Sequence, residues 1–142
     1  MGLYSHILLG LDLSEDSDLV AAKGANLAKQ NNATLSVVHV IEPLSFAYGG
    51  DIPMDFSSVQ EEIYKQAENQ MRKLGTKWDI PEARQHIVIG RPESEIHKLA
   101  HDLGADLVMV GSHGRHGLAL VFGSTANGVL HGANCDVLAV RV

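Results

Sequence analysis

Two glycine clusters and one early aspartate are the residues whose types and spacing suit them for chemistry. Gly111-Ser112-His113-Gly114-Arg115-His116-Gly117 places three glycines at a spacing of three. Such spacing lets a backbone turn sharply and approach a ligand closely. Eight residues separate Gly114 from Gly123, where Gly123-Ser124-Thr125 opens a helical stretch. The first turn of a helix offers free N–H groups and a positive dipole end, which suits a phosphate. Ser124 and Thr125 add hydroxyl donors, and Arg115 suits either a terminal phosphate or plain solvent. Asp12 follows the first apolar run, and its carboxylate suits ribose hydroxyls or a magnesium ion on a polyphosphate. The glycine pattern is neither the P-loop spacing nor Gly-x-Gly-x-x-Gly, so by itself it also reads as a turn and a helix cap.

The elements that would position these residues alternate from end to end. His6–Leu11, Thr34–Ile41, His86–Ile89, Asp106–Val110 and Asp136–Val140 read as strands. Ser14 suits an N-cap, with Glu15, Asp16 and Asp18 at the positive end of a helix that Asn31-Asn32 closes. Val59, Ile63, Ala67, Met71, Leu74 and Trp78 draw one apolar stripe along a long helix. Trp78 reads as core packing at the end of it. Pro92 starts a further helix with Ile96, Leu99, Ala100 and Leu103 inward, and Ser124–His131 reads as the last. Glu42–Asp55 is a long loop carrying Pro43, Gly49, Gly50 and Pro53.

Strands joined by helical crossovers predict an α/β fold: a Rossmann-like, open, five-stranded parallel sheet with helices on both faces. Right-handed crossovers favour placing the first strand beside the fourth, in the order 3-2-1-4-5. Ligands bind outside the carboxyl ends of the strands where that order reverses. Both glycine clusters and Asp12 fall there.

The 142 residues read as one domain, 1–142, without linker or low-complexity tract. Eleven basic residues against seventeen acidic give a formal charge of −6, with no cluster of Lys or Arg. That excludes an ordinary duplex-binding face, although a backbone nest can bind a small anion without net positive charge. No apolar run reaches the ~20 residues of a membrane span. A single cysteine and an N-terminus without a charged-then-apolar leader predict a reducing cytoplasm.

Other candidate chemistry is thin. His97 and His101 are four apart on a helix, a workable zinc pair, but the apolar stripe puts both on the polar side and supplies no third ligand. His113 and His116 suit a phosphate or solvent better than a metal. Cys135 reads as a small buried residue, and neither a nucleophile elbow nor a His-Glu-x-x-His is present. No catalytic residue and no metal ligand is assigned. The last strand is apolar and lies at the sheet edge, and such an edge pairs with another chain.

The chain resembles the universal stress protein family over essentially its whole length. The resemblance rests on His6-Ile7-Leu8-Leu9-Gly10-Leu11-Asp12-Leu13-Ser14, Val37-Val38-His39-Val40 and Gly90-Arg91-Pro92. It is strongest from Asp106 to Val140, with Gly-Ser-His-Gly, Gly-Ser-Thr-Ala-Asn and Cys-Asp-Val-Leu-Ala-Val. It implies a Rossmann-like fold, a homodimer through the last strand (Asp136–Val142) and, in one branch, ATP binding. Carried onto this chain, Gly111, Gly114, Gly123 and Ser124 match phosphate and ribose contacts, with Thr125 beside them. Asp12 matches the acid after strand one, and Val40 a backbone contact to adenine. The spacer is one residue shorter than that branch's pattern, a change a loop absorbs at little cost. Gly10 and Leu11 stand where nucleotide-binding relatives often carry proline or a small polar residue. The expectation is a dimeric, cytoplasmic stress-response module that binds ATP, with magnesium as the counter-ion. The alternatives are a slow ATP-hydrolysing or nucleotidyl-transferring enzyme on the same fold, and a stress scaffold that binds no nucleotide.

Overall fold

The computed structural model describes residues 2–43, 57–112 and 128–142. Within them run β1 (His6–Gly10), α1 (Ser17–Asn31), β2 (Thr34–Ile41), α2 (Ser57–Trp78), a 3-10 turn (Glu82–Arg84), β3 (Gln85–Ile89), α3 (Pro92–Leu103), β4 (Leu107–Gly111) and β5 (Asp136–Val140). Residues 128–130 are helical. The sheet order is β3-β2-β1-β4-β5 and every pairing is parallel. That is the expected architecture, with strand boundaries shifted by a residue at β1, β3 and β4.

Alternation along each strand divides the core into two layers. Ile7 and Leu9 join Val37, Leu107 and Met109 on the face that packs against Val20, Ala21 and Ala28 of α1 and Met71 and Leu74 of α2. Leu8 joins Val38, Val108 and Val110 on the other face, under Ile96 and Ala100 of α3 and Val129. Ile7, Leu8 and Leu9 are fully buried, so β1 contributes to both layers. Each such side chain stabilises the fold by about 1.5–3 kcal/mol through burial.

Two glycines let helices sit close to β1. A β-carbon on Gly24 would overlap Leu9 Cδ2, and one on Gly10 would stand 3.0 Å from Ile96 Cδ1. Gly10 is thus covered by α3 through Ile96. Asn32 ends α1 in the left-handed conformation (φ 54°), its N–H bonded to the carbonyls of Ala28 and Lys29. Pro92 opens α3 within its first turn, and Gly104 (φ 68°) closes it. On α2 the stripe holds for Ala67, Met71 and Leu74, whereas Val59 is exposed. Trp78 packs partly buried against the α1/α2 layer, and its indole N–H donates to Asp18 Oδ1 at 3.3 Å.

Two local expectations are corrected. Ser14 does not cap α1: the cap position is Asp16, without a side-chain cap bond, and the helix starts at Ser17. The Ser14 hydroxyl donates instead to Asp12 Oδ1 at 2.6 Å. The Ser14 carbonyl accepts from the Ser17 N–H at 3.0 Å, so a turn intervenes before the helix. His97 is not simply a solvated partner of His101, because it is half-buried and its Nε2 lies 3.3 Å from the Gly128 carbonyl. Among the described residues no helix is long and apolar enough to cross a membrane.

Candidate functional site

Register places the described site residues at one end of the sheet. Gly10 is level with Val38 on one side and Val110 on the other. Asp12 and Val40 each stand two residues beyond that level, and Gly111 stands one beyond it. Val40 and Gly111 therefore flank the end of β1 on neighbouring strands, about 10 Å apart at two strand spacings. The order reverses there, since β1 has β2 on one side and β4 on the other. Gly114, Arg115, Gly123, Ser124 and Thr125, with His113 and His116, lie outside the described residues, as does most of Glu42–Asp55.

The turn that presents Asp12 is built from its own neighbours. Asp12 Oδ1 accepts from the Ser14 N–H at 3.0 Å, the Ser14 hydroxyl at 2.6 Å and the Ser17 hydroxyl at 3.2 Å. Leu13 between them takes a left-handed backbone (φ 61°). That conformation costs a non-glycine residue about 1–2 kcal/mol. The carboxylate bonds and the packing of Leu13 against the α1/α2 layer offset it. Asp12 is thus a preset acceptor before any ligand arrives.

Gly111 ends β4. A β-carbon there would lie 3.5 Å from Val142 Cγ2 and 3.7 Å from Val20 Cγ2, which is ordinary contact. The described neighbours leave room for a β-carbon, so their packing does not by itself demand a glycine. Ser112 next to it is used inward. Its N–H donates to the Val140 carbonyl at 2.8 Å, and its hydroxyl accepts from the Val142 N–H at 3.3 Å.

Sequence reasoning gave His39 and Ser17 no role. The His39 Nδ1 lies 2.8 Å from the Leu11 carbonyl, and the ring is buried. An imidazole flanked by valines in a mostly apolar strand was the available signal, since buried polar groups are normally hydrogen-bonded. Ser17 is likewise buried at the first position of α1.

Elsewhere the chemistry is quiet. Burial first, then the charges of Asp136 and Asp106, push the Cys135 thiol up, away from the reactive thiolate. Among the described residues no three His, Cys, Asp or Glu are grouped to hold a metal ion.

A parallel 3-2-1-4-5 sheet with helices on both faces, and a hydrogen-bonded carboxylate just beyond β1 at the reversal of strand order, defines a doubly wound α/β protein. The chain belongs to the universal stress protein family, whose model matches residues 3–141. It is 43% identical over 138 residues to universal stress protein A homolog 1 of Coxiella burnetii, covering 96% of each chain. In structure it is similar to the universal stress protein UspA from Lactobacillus plantarum. That match has a TM-score of 0.80 and 22% identity, covering 97% of this chain and 98% of that one. It is also similar to a universal stress protein solved in complex with cAMP, with a TM-score of 0.66 and 22% identity over 97% of each chain.

Proposed function

We propose that this chain is a stress-response module that binds an adenine nucleotide, ATP in the first instance, at the carboxyl ends of β1 and β4. The observation that carries the reading is the convergence of Asp12, Val40 and Gly111 at the reversal of strand order, with the Gly-x-x-Gly and Gly-Ser-Thr segments following β4 in sequence. Nucleotide as the ligand class is supported by the cAMP complex of a structural neighbour.

In this reading Asp12 accepts from ribose hydroxyls. Its Oδ1 is already taken by three donors. That arrangement suits a fixed hydrogen-bond acceptor better than a cation ligand, whose oxygens must face the ion. Magnesium then travels on the polyphosphate. The Val40 backbone meets the base. Gly111, Gly114 and Gly123 let the main chain approach the phosphates, with Ser124, Thr125 and Arg115 donating to them. The protein acts by binding, as one cytoplasmic domain without catalytic residues.

Two copies would join through β5, which among the described strands pairs only with β4 and exposes Leu138 by 39%. An open apolar edge is stabilised by pairing with its like. Light scattering after size exclusion should give a dimer at micromolar concentration, and a monomer would remove this part of the proposal.

The experiment on the nucleotide has two arms. The purified protein is denatured and the supernatant chromatographed for adenine nucleotide, and the native protein is incubated with ATP and magnesium. Intact ATP, released or bound, supports the binding module. Rapid formation of ADP or pyrophosphate supports an enzyme, and no retention and no affinity support a scaffold that binds no nucleotide.

A further inference from the structure

We propose that His39 is a positioning residue of this site: the hydrogen bond from its Nδ1–H to the Leu11 carbonyl fixes where β1 releases the chain into the Asp12 turn. It thereby sets the spacing between Asp12 and Val40. The proposal rests on the adenine-nucleotide reading of the site and assigns a part of that site's construction.

The first support is where the ladder stops. β1 ends at Gly10, and Leu11 lies beyond it. Leu11 is nevertheless held by β2 through both of its backbone groups. Its N–H donates to the Val38 carbonyl at 3.0 Å, and its carbonyl accepts from the His39 ring at 2.8 Å. A carbonyl can only accept, so Nδ1 carries the proton.

The second support is the choice of side chain. His39 shares its sheet face with Leu35, Val37 and Ile41, all buried apolar residues. An aliphatic side chain would fill that space without the desolvation cost of an imidazole. The imidazole brings a donor, and Nδ1 places it on the carbonyl of the residue before Asp12.

The third support is adjacency. Leu11 precedes Asp12 and His39 precedes Val40, so one hydrogen bond ties together the neighbours of both proposed contacts. Immediately after Leu11 the chain enters the Asp12 bonds and the left-handed Leu13. The bond fixes the departure point of that turn, and without it the Asp12 carboxylate would move relative to β2.

The test compares His39→Asn, whose amide donates from close to the Nδ1 position, with His39→Leu, which fills the space and donates nothing. Two quantities are read on the full chain: ATP affinity by calorimetry, and exchange of the Ser14 amide by NMR without nucleotide. The Ser14 amide reports the turn because it donates to Asp12 Oδ1. His39→Leu should weaken ATP binding about tenfold, the usual scale of one buried hydrogen bond, and speed Ser14 exchange by a similar factor. His39→Asn should stay within about threefold of the parent protein in both, because the donor is restored. Unchanged Ser14 exchange in His39→Leu would overturn the proposal, as would equal losses in both variants, which would mean packing alone. If the parent protein binds no ATP, the functional reading fails while Ser14 exchange still decides the role of His39. Should His39→Leu not fold, His39→Gln, whose amide reaches the Nε2 position instead, takes its place with the same expected losses.

Discussion

Two carboxylates hold the two ends of one sheet, and they do it differently. At the amino ends Asp106 reaches across strands. It accepts from the Ser5 N–H at 2.9 Å, the Ser5 hydroxyl at 3.0 Å and the His6 N–H at 3.0 Å, all about a hundred residues earlier in the chain. At the carboxyl ends Asp12 accepts from Ser14 and Ser17, within its own turn. The first arrangement knits β1 to the start of β4, and the second shapes a loop. The amino end also gathers His6, whose Nε2 is 2.7 Å from Ser36 Oγ, and the Tyr4 hydroxyl, which donates to Asp136 Oδ2 at 2.8 Å. On β3, level with Val38, the buried His86 Nε2 has no hydrogen-bond partner among the described residues. The Asp106 bonds tie segments a hundred residues apart, while the Asp12 bonds to Ser14 and Ser17 shape the turn that carries them.

The largest expected effect separates the two ends directly. Gly111→Val and Gly123→Val should each reduce ATP affinity by about a hundredfold or more, because a side chain blocks backbone approach to phosphate. Thermal melting of Gly111→Ala should stay close to that of the parent protein, since its described neighbours leave room for a β-carbon. Joint loss of binding and stability would show that the carboxyl end is structural after all.

Asp106→Ala should do the reverse. Removing an acceptor shared by three donors at a half-exposed position should cost about 1–3 kcal/mol in denaturant unfolding. ATP affinity should stay within about twofold, because the site is at the other end of the sheet. A large loss of affinity would mean the two ends are coupled.

A smaller effect follows from pH. Burial, which disfavours the charged ring, lowers the His6 pKa below its ordinary value. Arg84 adds to the lowering, while the Leu103 carbonyl and the Asp106 charge oppose it. Burial lowers His86 in the same way, with the His6 charge second. The unfolded chain therefore takes up protons near pH 6.5 while the folded chain still resists them. Stability is full above that value and falls as pH drops through and below it. Asp106 is held low by the Ser5 and His6 bonds, which outweigh its burial, so its contribution is lost only at more acid pH. Thermal melting should fall by a few degrees between pH 7 and pH 5. The double variant His6→Asn, His86→Leu should flatten that slope, and an unaltered slope would assign the acid sensitivity elsewhere.

Most of the architecture was legible because apolar periodicity and crossover handedness act through many residues at once. Val37, Val38, Val108 and Val110 alternate between two covered faces, and no single misreading changes the sheet order. The start of α1 was not legible in the same way. Ser14 and Asp16 both suit a cap by type, and the outcome turned on Asp12, which takes the Ser14 hydroxyl for its own turn. His97 was misplaced for a related reason. Helical spacing shows which face of α3 is apolar, but it is blind to the Gly128 carbonyl brought alongside. His39 stood within a quoted motif without a role, because its partner, the Leu11 carbonyl, is a backbone atom that side-chain patterns do not reveal. Asp12 and Gly111 were expected at neighbouring strand ends because topology fixes where those ends meet, and the register puts them there; Val40 came from the resemblance and lies at the same end.

The account stands on the crevice at the carboxyl ends of β1 and β4, and calorimetric titration of the purified chain with ATP and magnesium tests it most directly. The prediction is one saturable site per chain, lost in Gly123→Val and kept in Asp106→Ala. No saturable binding at millimolar ATP, or binding that survives Gly123→Val unchanged, would contradict it.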